Sequence, residues 1–512
     1  VFFYIDNACL CCFWESLNRD KIMRVNQDYY ALLRVPPEAG EEELRQAYRL
    51  AARRFHPDVN KAPGAAFLFR EINNAYEILS NVQSRAEYNQ LLADHLNRLP
   101  ALQLETYYSR SHLKKLGEPQ LLYVMLHLQP VLEMNLVSDA PLNLGLVIDR
   151  SKSMQGQRMQ HVKSAARRII DESRPDDIIS VVVFSDDADV IVPARKNNDP
   201  KSTKAMISTI RADGATEILK GLRKGLAQVE HNLEGRYVNH LILITDGRTF
   251  GDEEECLALA ADAHAKGIGI SGIGIGEDWN DNFLDAIASR TGGSSAYISS
   301  PYAVTGFLND RIRTLATAYA ERASLVVAPA TGVKLDAVTR MSPNPIELSA
   351  EDQPIPLGTI DGLATTTIVF QFQVETGQAD LGEFFIGRLD VSGEVLGSAQ
   401  MQERAVEDLT VQVTEGHVEE NPPPELLDAL SRLMLYRLQD RARDSLAEGN
   451  IVEATRRLEY LATRLFESGE DELAQAAMYE AQRVSQTQAL SEEGAKRLKY
   501  GTRALFSSDD RG

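Results

Sequence analysis

The chain has 512 residues, 44% of them hydrophobic and 25% charged. That balance is globular and excludes a wholly disordered, collagen-like or wholly membrane-embedded protein. With 54 Lys and Arg against 74 Asp and Glu the formal charge is −20, so the surface as a whole repels a phosphate backbone and no nucleic-acid partner is expected.

The length predicts about three to four domains. Four cysteines are too few for a disulfide scaffold of this size, which points to a reducing compartment, and the cytoplasm is the expected location. No run of eighteen apolar residues occurs, so no membrane span is expected.

Residues 1–25 read as an extension. Asp6 and Glu15 interrupt its apolar stretch and no basic residue precedes it, unlike a secretory signal. Met23 stands just before a well-patterned segment and is the expected start. Cys9-x-x-Cys12 has the spacing of half a zinc site, but no second pair matches it.

Residues 26–93 read as a helical domain. Leu44, Tyr48, Ala51 and Phe55 recur at helical spacing. Glu41, Glu42 and Glu43 place negative charge at the helix start, where the macrodipole favours it. Arg45, Arg49 and Arg53, with Arg54 alongside, form a basic stripe on an acidic protein. The helix must stop at His56-Pro57, because a proline disfavours helical geometry in the residue before it. Phe69, Ile72, Tyr76 and Leu79 mark a second helix.

The ordered set Asp28-Tyr29-Tyr30-Ala31-Leu32-Leu33, Ala47-Tyr48-Arg49, His56-Pro57-Asp58, Asn74-Ala75-Tyr76-Glu77-Ile78-Leu79 and Arg85-Ala86-Glu87-Tyr88 resembles a DnaJ-type J domain. The resemblance implies docking on a DnaK-class heat-shock chaperone and stimulation of its ATP hydrolysis. His56, Pro57 and Asp58 would carry that role, and Arg45, Arg49 and Arg53 would steer the encounter. A cationic stripe accelerates association with an acidic partner. The plainer alternative, a solvated arginine face, does not explain the tripeptide at the helix end. Asn89 stands where the family often has aspartate. No Gly/Phe-rich segment and no repeated Cys-x-x-Cys module follows, so the resemblance is to proteins that join a J domain to an unrelated module.

Residues 94–119 are expected as a helical linker. Val124, Leu126 and Leu128 then alternate, as do Ile368, Phe370, Phe372 and Val374, and Leu409, Val411 and Val413. Period two predicts half-buried strands. Residues 120–140 and 318–415 are therefore read as a β-sandwich interrupted by residues 141–317.

In that insertion the apolar runs Leu144–Ile148, Ile178–Phe184, Leu241–Ile244, Gly267–Ile275 and Ala296–Ile298 alternate with helical stripes such as Met159, Val162, Ala166 and Ile169. This predicts a Rossmann-like, mainly parallel sheet covered on both faces, with its site beyond the carboxyl ends of the strands. Asp149 and Asp246 fall at such ends. With Ser151, Ser153 and Thr216 they offer five oxygen donors, the chemistry of a hard divalent ion, Mg²⁺ above all or another such as Mn²⁺. Any one of them could merely cap a helix; five at strand ends could not.

The order Asp-x-Ser-x-Ser, loop Thr and strand-end Asp resembles the metal-ion-dependent adhesion site of von Willebrand factor type A domains. It implies that a bound ion takes a carboxylate from a protein ligand, here unknown. Arg150 and Lys152 fill the variable positions and are expected to weaken the metal or favour an acidic ligand. Gly267-Ile268-Gly269-Ile270-Ser271-Gly272 spells a dinucleotide fingerprint, but its glycines alternate with isoleucine as in a strand, so no nucleotide is expected.

Pro422-Pro423-Pro424 marks a linker. Residues 422–506 carry leucine stripes punctuated by Gly449 and Gly469 and read as a helical hairpin or small bundle. The fold class is thus multidomain: α and α/β plus β. No catalytic triad, His-Glu-x-x-His or G-x-x-x-x-G-K-[ST] loop is found, so no enzyme is expected. The expected function is a co-chaperone adaptor. Alternatives are a metal-dependent scaffold with a vestigial J domain, or an accessory subunit of a metal-chelatase-like assembly.

Overall fold

The computed structural model describes residues 28–91, 102–131, 140–233, 237–248, 251–300, 303–343, 345–396, 402–416 and 418–507. The amino-terminal extension, with Cys9, Cys12 and Met23, lies outside the described residues.

Four helices open the described chain: α1 (Tyr29–Leu33), α2 (Glu41–Phe55), α3 (Pro63–Leu79) and α4 (Val82–Leu91). Leu44, Ala51 and Phe55 of α2 and Leu68, Ile72 and Leu79 of α3 are buried against each other. Asn89 accepts from the Tyr30 hydroxyl at 2.7 Å, so the departure from aspartate keeps a partner. Arg85 locks the same corner, donating to Tyr30 Oη at 2.8 Å and to the Ala39 carbonyl at 2.7 Å.

Residues 94–119, expected as a helical linker, hold two strands instead: β1 (Leu102–Tyr108) and β2 (His112–Lys114). β1 pairs antiparallel along its whole length with β3 (Gln120–Pro130), from Leu102 opposite Pro130 to Tyr108 opposite Val124. Leu102 and Leu104 alternate with Gln103 and Glu105, a strand period that outweighs any helical preference.

After β3 the chain enters the α/β domain. It contains β4 (Leu142–Asp149), α5 (Gln157–Glu172), β5 (Ile178–Phe184), β6 (Ala188–Lys196), α6 (Pro200–Ser208), α7 (Ile218–Glu230), β7 (Val238–Thr245), α8 (Glu253–Ala265), β8 (Gly269–Ile275), α9 (Asp281–Thr291), β9 (Ser295–Ile298) and α10 (Ala303–Ala316). The strand order is β6-β5-β4-β7-β8-β9. Only β6 runs antiparallel, on the edge. Every residue of β4, β5 and β7 is buried, as a sheet covered on both faces requires.

The chain then returns to β10 (Ala318–Pro329), β11 (Val333–Ser342), β12 (Ile346–Leu348), β13 (Ile355–Asp361), β14 (Thr366–Val374), β15 (Gly382–Val395) and β16 (Gln402–Thr414). Two five-stranded sheets, β1-β3-β14-β11-β12 and β13-β10-β15-β16-β2, face each other across Leu122, Val124, Leu126, Leu325, Phe370, Phe372 and Leu389. β3 lies in one sheet and β10 in the other, so the α/β domain is inserted between strands of a sandwich. Buried Arg340 ties the two bodies, donating to the Gly293 carbonyl at 2.7 Å and the Leu357 carbonyl at 3.0 Å.

The helical domain is docked on the sandwich. Val326 and Ala328 of β10 belong to its core. At Gly64 in α3 a Cβ would lie 1.9 Å from the Val327 carbonyl oxygen, so only glycine permits this approach. Asn60 Nδ2 donates to the Pro329 carbonyl at 2.7 Å, and Arg388 Nη1 donates to the Leu32 carbonyl at 3.1 Å.

Four further helices follow the prolines: α11 (Pro424–Ala447), α12 (Ile451–Glu467), α13 (Asp471–Thr487) and α14 (Glu492–Ala504). Leu458, Leu461, Leu465, Ala477, Ala481 and Leu498 form their common core. α11 packs Leu426, Leu433 and Tyr436 on Met125, Met341 and Val369 of the sandwich, while α14 lies on the α/β domain.

Candidate functional sites

β4 and β7 are parallel neighbours, with Ile148 opposite Ile244, so Asp149 and Asp246 emerge side by side at the carboxyl end of the sheet. Both are fully buried. After Asp149 the chain turns through a short 3₁₀ segment, Lys152–Met154, which directs Ser151 and Ser153 back over the strand ends. Ser153 Oγ donates to Asp246 Oδ1 at 2.7 Å, and Ser151 Oγ lies 3.0 Å from Ser153 Oγ and 3.4 Å from Asp246 Oδ1. Thr245 Oγ1 donates to Asp149 Oδ2 at 2.7 Å and the Ser151 N–H to Asp149 Oδ1 at 2.8 Å.

Thr216 arrives on the loop before α7. That loop is tied to the first by Lys152 N donating to the Gly214 carbonyl at 3.1 Å and Asp213 N to the Arg150 carbonyl at 2.6 Å. Thr216 stands over the turn after Asp246: a Cβ at Gly247 would come within 2.8 Å of Thr216 Oγ1. The fold thus brings Asp149, Ser151, Ser153 and Asp246 into one hydrogen-bonded set, with Thr216 at its rim.

The donor set fits a hard divalent cation. Asp149 is bonded by a hydroxyl and a backbone N–H, neither of which carries charge, and burial pushes its pKa up to about 6. All five donors are oxygen. Among the described residues no three His, Cys, Asp or Glu side chains converge on a point, so two carboxylates with three hydroxyls is the set on offer.

Arg150 turns away to Asp189, 2.9 Å distant, and Lys152 is exposed, so neither variable-position cation touches the carboxylates. The cation that does is Arg158, which sequence reasoning missed. Its Nη1 donates to Asp246 Oδ2 at 2.7 Å. One signal was available. Arg158 is the second residue of α5, and a cation in a first turn opposes the helix macrodipole unless a carboxylate answers it.

The second site is the turn between α2 and α3. Pro57 holds His56 in an extended conformation (φ −62°, ψ 131°), which ends α2. The Val59 and Asn60 amides donate to the His56 carbonyl at 3.0 and 2.8 Å. His56 Nδ1 accepts from the Asp58 N–H at 3.1 Å, and the ring meets Phe69 edge-on at 5.0 Å between centroids. The Asp58 side chain is 84% exposed and that of His56 42%. Arg45, Arg49 and Arg53 are exposed and enter no ion pair among the described residues. Arg54, grouped with that stripe from sequence, departs from it. Its guanidinium stacks 4.2 Å over the Phe385 ring and pairs with Asp408 at 3.3 Å, so it belongs to the docking interface.

Comparison with known proteins divides the chain in the same places. The DnaJ domain family matches residues 28–89, the von Willebrand factor type A domain family residues 143–310, and the Sll0103-like, C-terminal alpha-helical domain family residues 424–508. The chain is 32% identical over 217 residues to the Synechocystis protein sll0103, covering 42% of this chain and 51% of that one. It is 55% identical over 64 residues to the chaperone protein DnaJ of Trichormus variabilis, covering 12% of this chain and 17% of that protein. It therefore spans about half the length of the first relative and about a sixth of the second. A solved structure described as von Willebrand factor type A from Catenulispora acidiphila superposes with a TM-score of 0.61 at 19% identity, covering 79% of this chain and 96% of that one. At that identity the likeness is one of fold.

Proposed function

We propose that this chain, which joins a DnaJ domain to a von Willebrand factor type A domain and a Sll0103-like helical domain, is a non-enzymatic co-chaperone adaptor. In this reading the J domain stimulates the ATPase of a DnaK-class chaperone, and the type A domain holds a protein ligand through a divalent metal. No helix among the described residues is long and apolar enough to cross a membrane. The cytoplasm, where DnaK-class chaperones work, is the proposed compartment.

The observation that carries the reading is the exposed corner His56-Pro57-Asp58 with the exposed Arg45, Arg49 and Arg53, which enter no ion pair among the described residues, although the J domain is docked elsewhere on the sandwich. Docking uses Asn60, Gly64 and Arg54 and leaves Arg45, Arg49, Arg53 and the turn to solvent. A positive strip of this kind raises the rate of encounter with an acidic surface.

At the other site, Asp149, Ser151, Ser153, Thr216 and Asp246 would hold Mg²⁺ or Mn²⁺. Such an ion would supply a Lewis-acidic position for the carboxylate of a partner. Asp149 is fixed by Thr245 and by the Ser151 amide, and Asp246 by Ser153, so the donors are oriented before any ligand arrives.

The test is single-turnover ATP hydrolysis by a bacterial DnaK with the full chain added. The expected result is a stimulation that His56→Gln removes and Asp149→Ala leaves intact. No stimulation, or stimulation indifferent to His56→Gln, overturns the co-chaperone reading. Chelator-sensitive capture of a protein partner without stimulation would leave a metal-dependent scaffold.

A further inference from the structure

Arg158 reaches from the first turn of α5 into the cluster of donors. Its Nη1 lies 2.7 Å from Asp246 Oδ2 and 3.4 Å from the Ser153 carbonyl oxygen. Its guanidinium passes so close to Gly276, at the end of β8, that a Cβ there would stand 2.7 Å from Arg158 Nη2. Three separate elements therefore shape the slot that holds it. The other cations around the site are turned elsewhere: Arg150 to Asp189 at 2.9 Å and Arg248 to Glu492 at 2.5 Å, with Lys152 exposed. Asp246 consequently has a divided role. Oδ1 faces the serine hydroxyls, and Oδ2 faces a guanidinium.

We infer that Arg158 is a built-in counter-cation that leaves the metal-loaded site with one excess positive charge, so that metal and an anionic ligand bind as a coupled pair. The inference rests on the metal reading above. Two carboxylates alone would neutralise a divalent ion. With Arg158 paired to one of them, the same ion arrives against a like charge and is held weakly until a carboxylate from outside completes the balance. Both carboxylates are fully buried, which makes that difference larger than it would be between groups in water. The coupling is reciprocal, because whatever factor the anion adds to metal affinity the metal adds to anion affinity. Arg158 thus favours acidic ligands over neutral ones without touching them.

The experiment is Mn²⁺ binding to the full chain, read by the free-ion electron paramagnetic resonance signal, with acetate as the anionic probe and potassium chloride at matched ionic strength as control. The expected result is weak Mn²⁺ binding that acetate strengthens. Arg158→Met should bind Mn²⁺ about tenfold or more tightly without acetate and lose most of the acetate effect. Arg158→Lys, which keeps the charge, should behave like the unaltered chain. Arg158→Met retains the side-chain stem, and an unchanged thermal melt would show that it folds.

Tight binding in the unaltered chain that acetate does not affect would overturn the inference and leave the metal site standing. So would an Arg158→Met variant that binds no more tightly, which would make Arg158 a positioning residue for Asp246. Absence of Mn²⁺ binding in the unaltered chain and in Arg158→Met alike would overturn the metal reading itself, and this inference with it.

Discussion

Arg503 donates through Nη1 and Nη2 to the two oxygens of Asp285, at 2.9 and 2.5 Å, forming a fork-to-fork pair between the last helix and α9 of the α/β domain. Lys499 adds a second cation 2.8 Å from the same carboxylate. Breaking one side of a buried pair costs up to about 3–5 kcal/mol, and less where a second cation such as Lys499 still answers the carboxylate. Arg503→Met and Asp285→Asn are each expected to lower the urea midpoint and to raise hydrogen exchange along α14 and α9. The double variant should recover part of the loss.

That cluster also fixes a pH window. Against the upward push of burial, Arg503 and Lys499 hold the Asp285 carboxyl well below the usual range, and Lys499 and Arg443 lower that of Asp281. A depressed folded-state pKa stabilises above the unfolded value of about 3.9 and is lost as pH falls through the folded value. The attachment of the carboxyl-terminal helices is therefore expected to survive mild acid and to weaken progressively as pH falls below about 4. Tyr500 and Trp279 lie in this interface, their ring centroids 5.7 Å apart, so intrinsic fluorescence reads the transition.

Glu321 works in the opposite direction. It is buried on β10, where desolvation, helped by the like charge of Glu394, pushes its pKa up to about 7 against a hydrogen bond from Thr359 and the charges of Arg322 and Arg311. The folded state then holds a proton that the unfolded chain releases near pH 4.5. Stability should fall as pH rises from about 4.5 to about 7, by up to roughly 3 kcal/mol. Glu321→Gln is expected to flatten that slope in urea midpoints measured across the range.

Gly247 offers a test of the proposed metal site that leaves every donor in place. A methyl there would meet Thr216 Oγ1 at 2.8 Å and push the loop off the strand ends. Gly247→Ala is expected to weaken Mn²⁺ binding several-fold with little change in melting temperature. Undiminished binding would remove Thr216 from the donor set.

For the J domain, Gly64→Ala would drive a methyl into the Val327 carbonyl and loosen α3 from β10. Hydrogen exchange at β10 should rise. Stimulation of DnaK should persist, because α2 and the following turn hold their shape through contacts internal to the domain, such as His56 on Phe69.

The motifs of the two candidate sites were legible because each is local. His56-Pro57-Asp58 and Asp149-x-Ser151-x-Ser153 are contiguous, and Asp246 ends an unbroken apolar strand. The sandwich strands around Phe370 and Val411 announced themselves by alternation. The misreadings arose where a partner far along the chain decides the outcome. β1 is a strand because β3 lies beside it, and Arg54 leaves the basic stripe because Asp408, 354 residues later, attracts it. Edge strand β6 escaped notice because Pro193 interrupts its short apolar run Val190-Ile191-Val192, and a proline is tolerated in a strand only at a sheet edge such as this one. Arg158 looked like ordinary helix surface until Asp246 was placed within its reach.

Asp408 gathers Arg34, Arg54 and Arg388 within 2.6–3.3 Å, and with Gly64 against Val327 this bolts the J domain down at one bearing. The span from the His-Pro-Asp corner to the Asp149–Asp246 cluster is then a fixed calliper rather than a tether. In the proposed function, a cargo held at one jaw would meet the ATPase at the other only if it bridged that gap, so dimensions as well as chemistry would decide what is handed over.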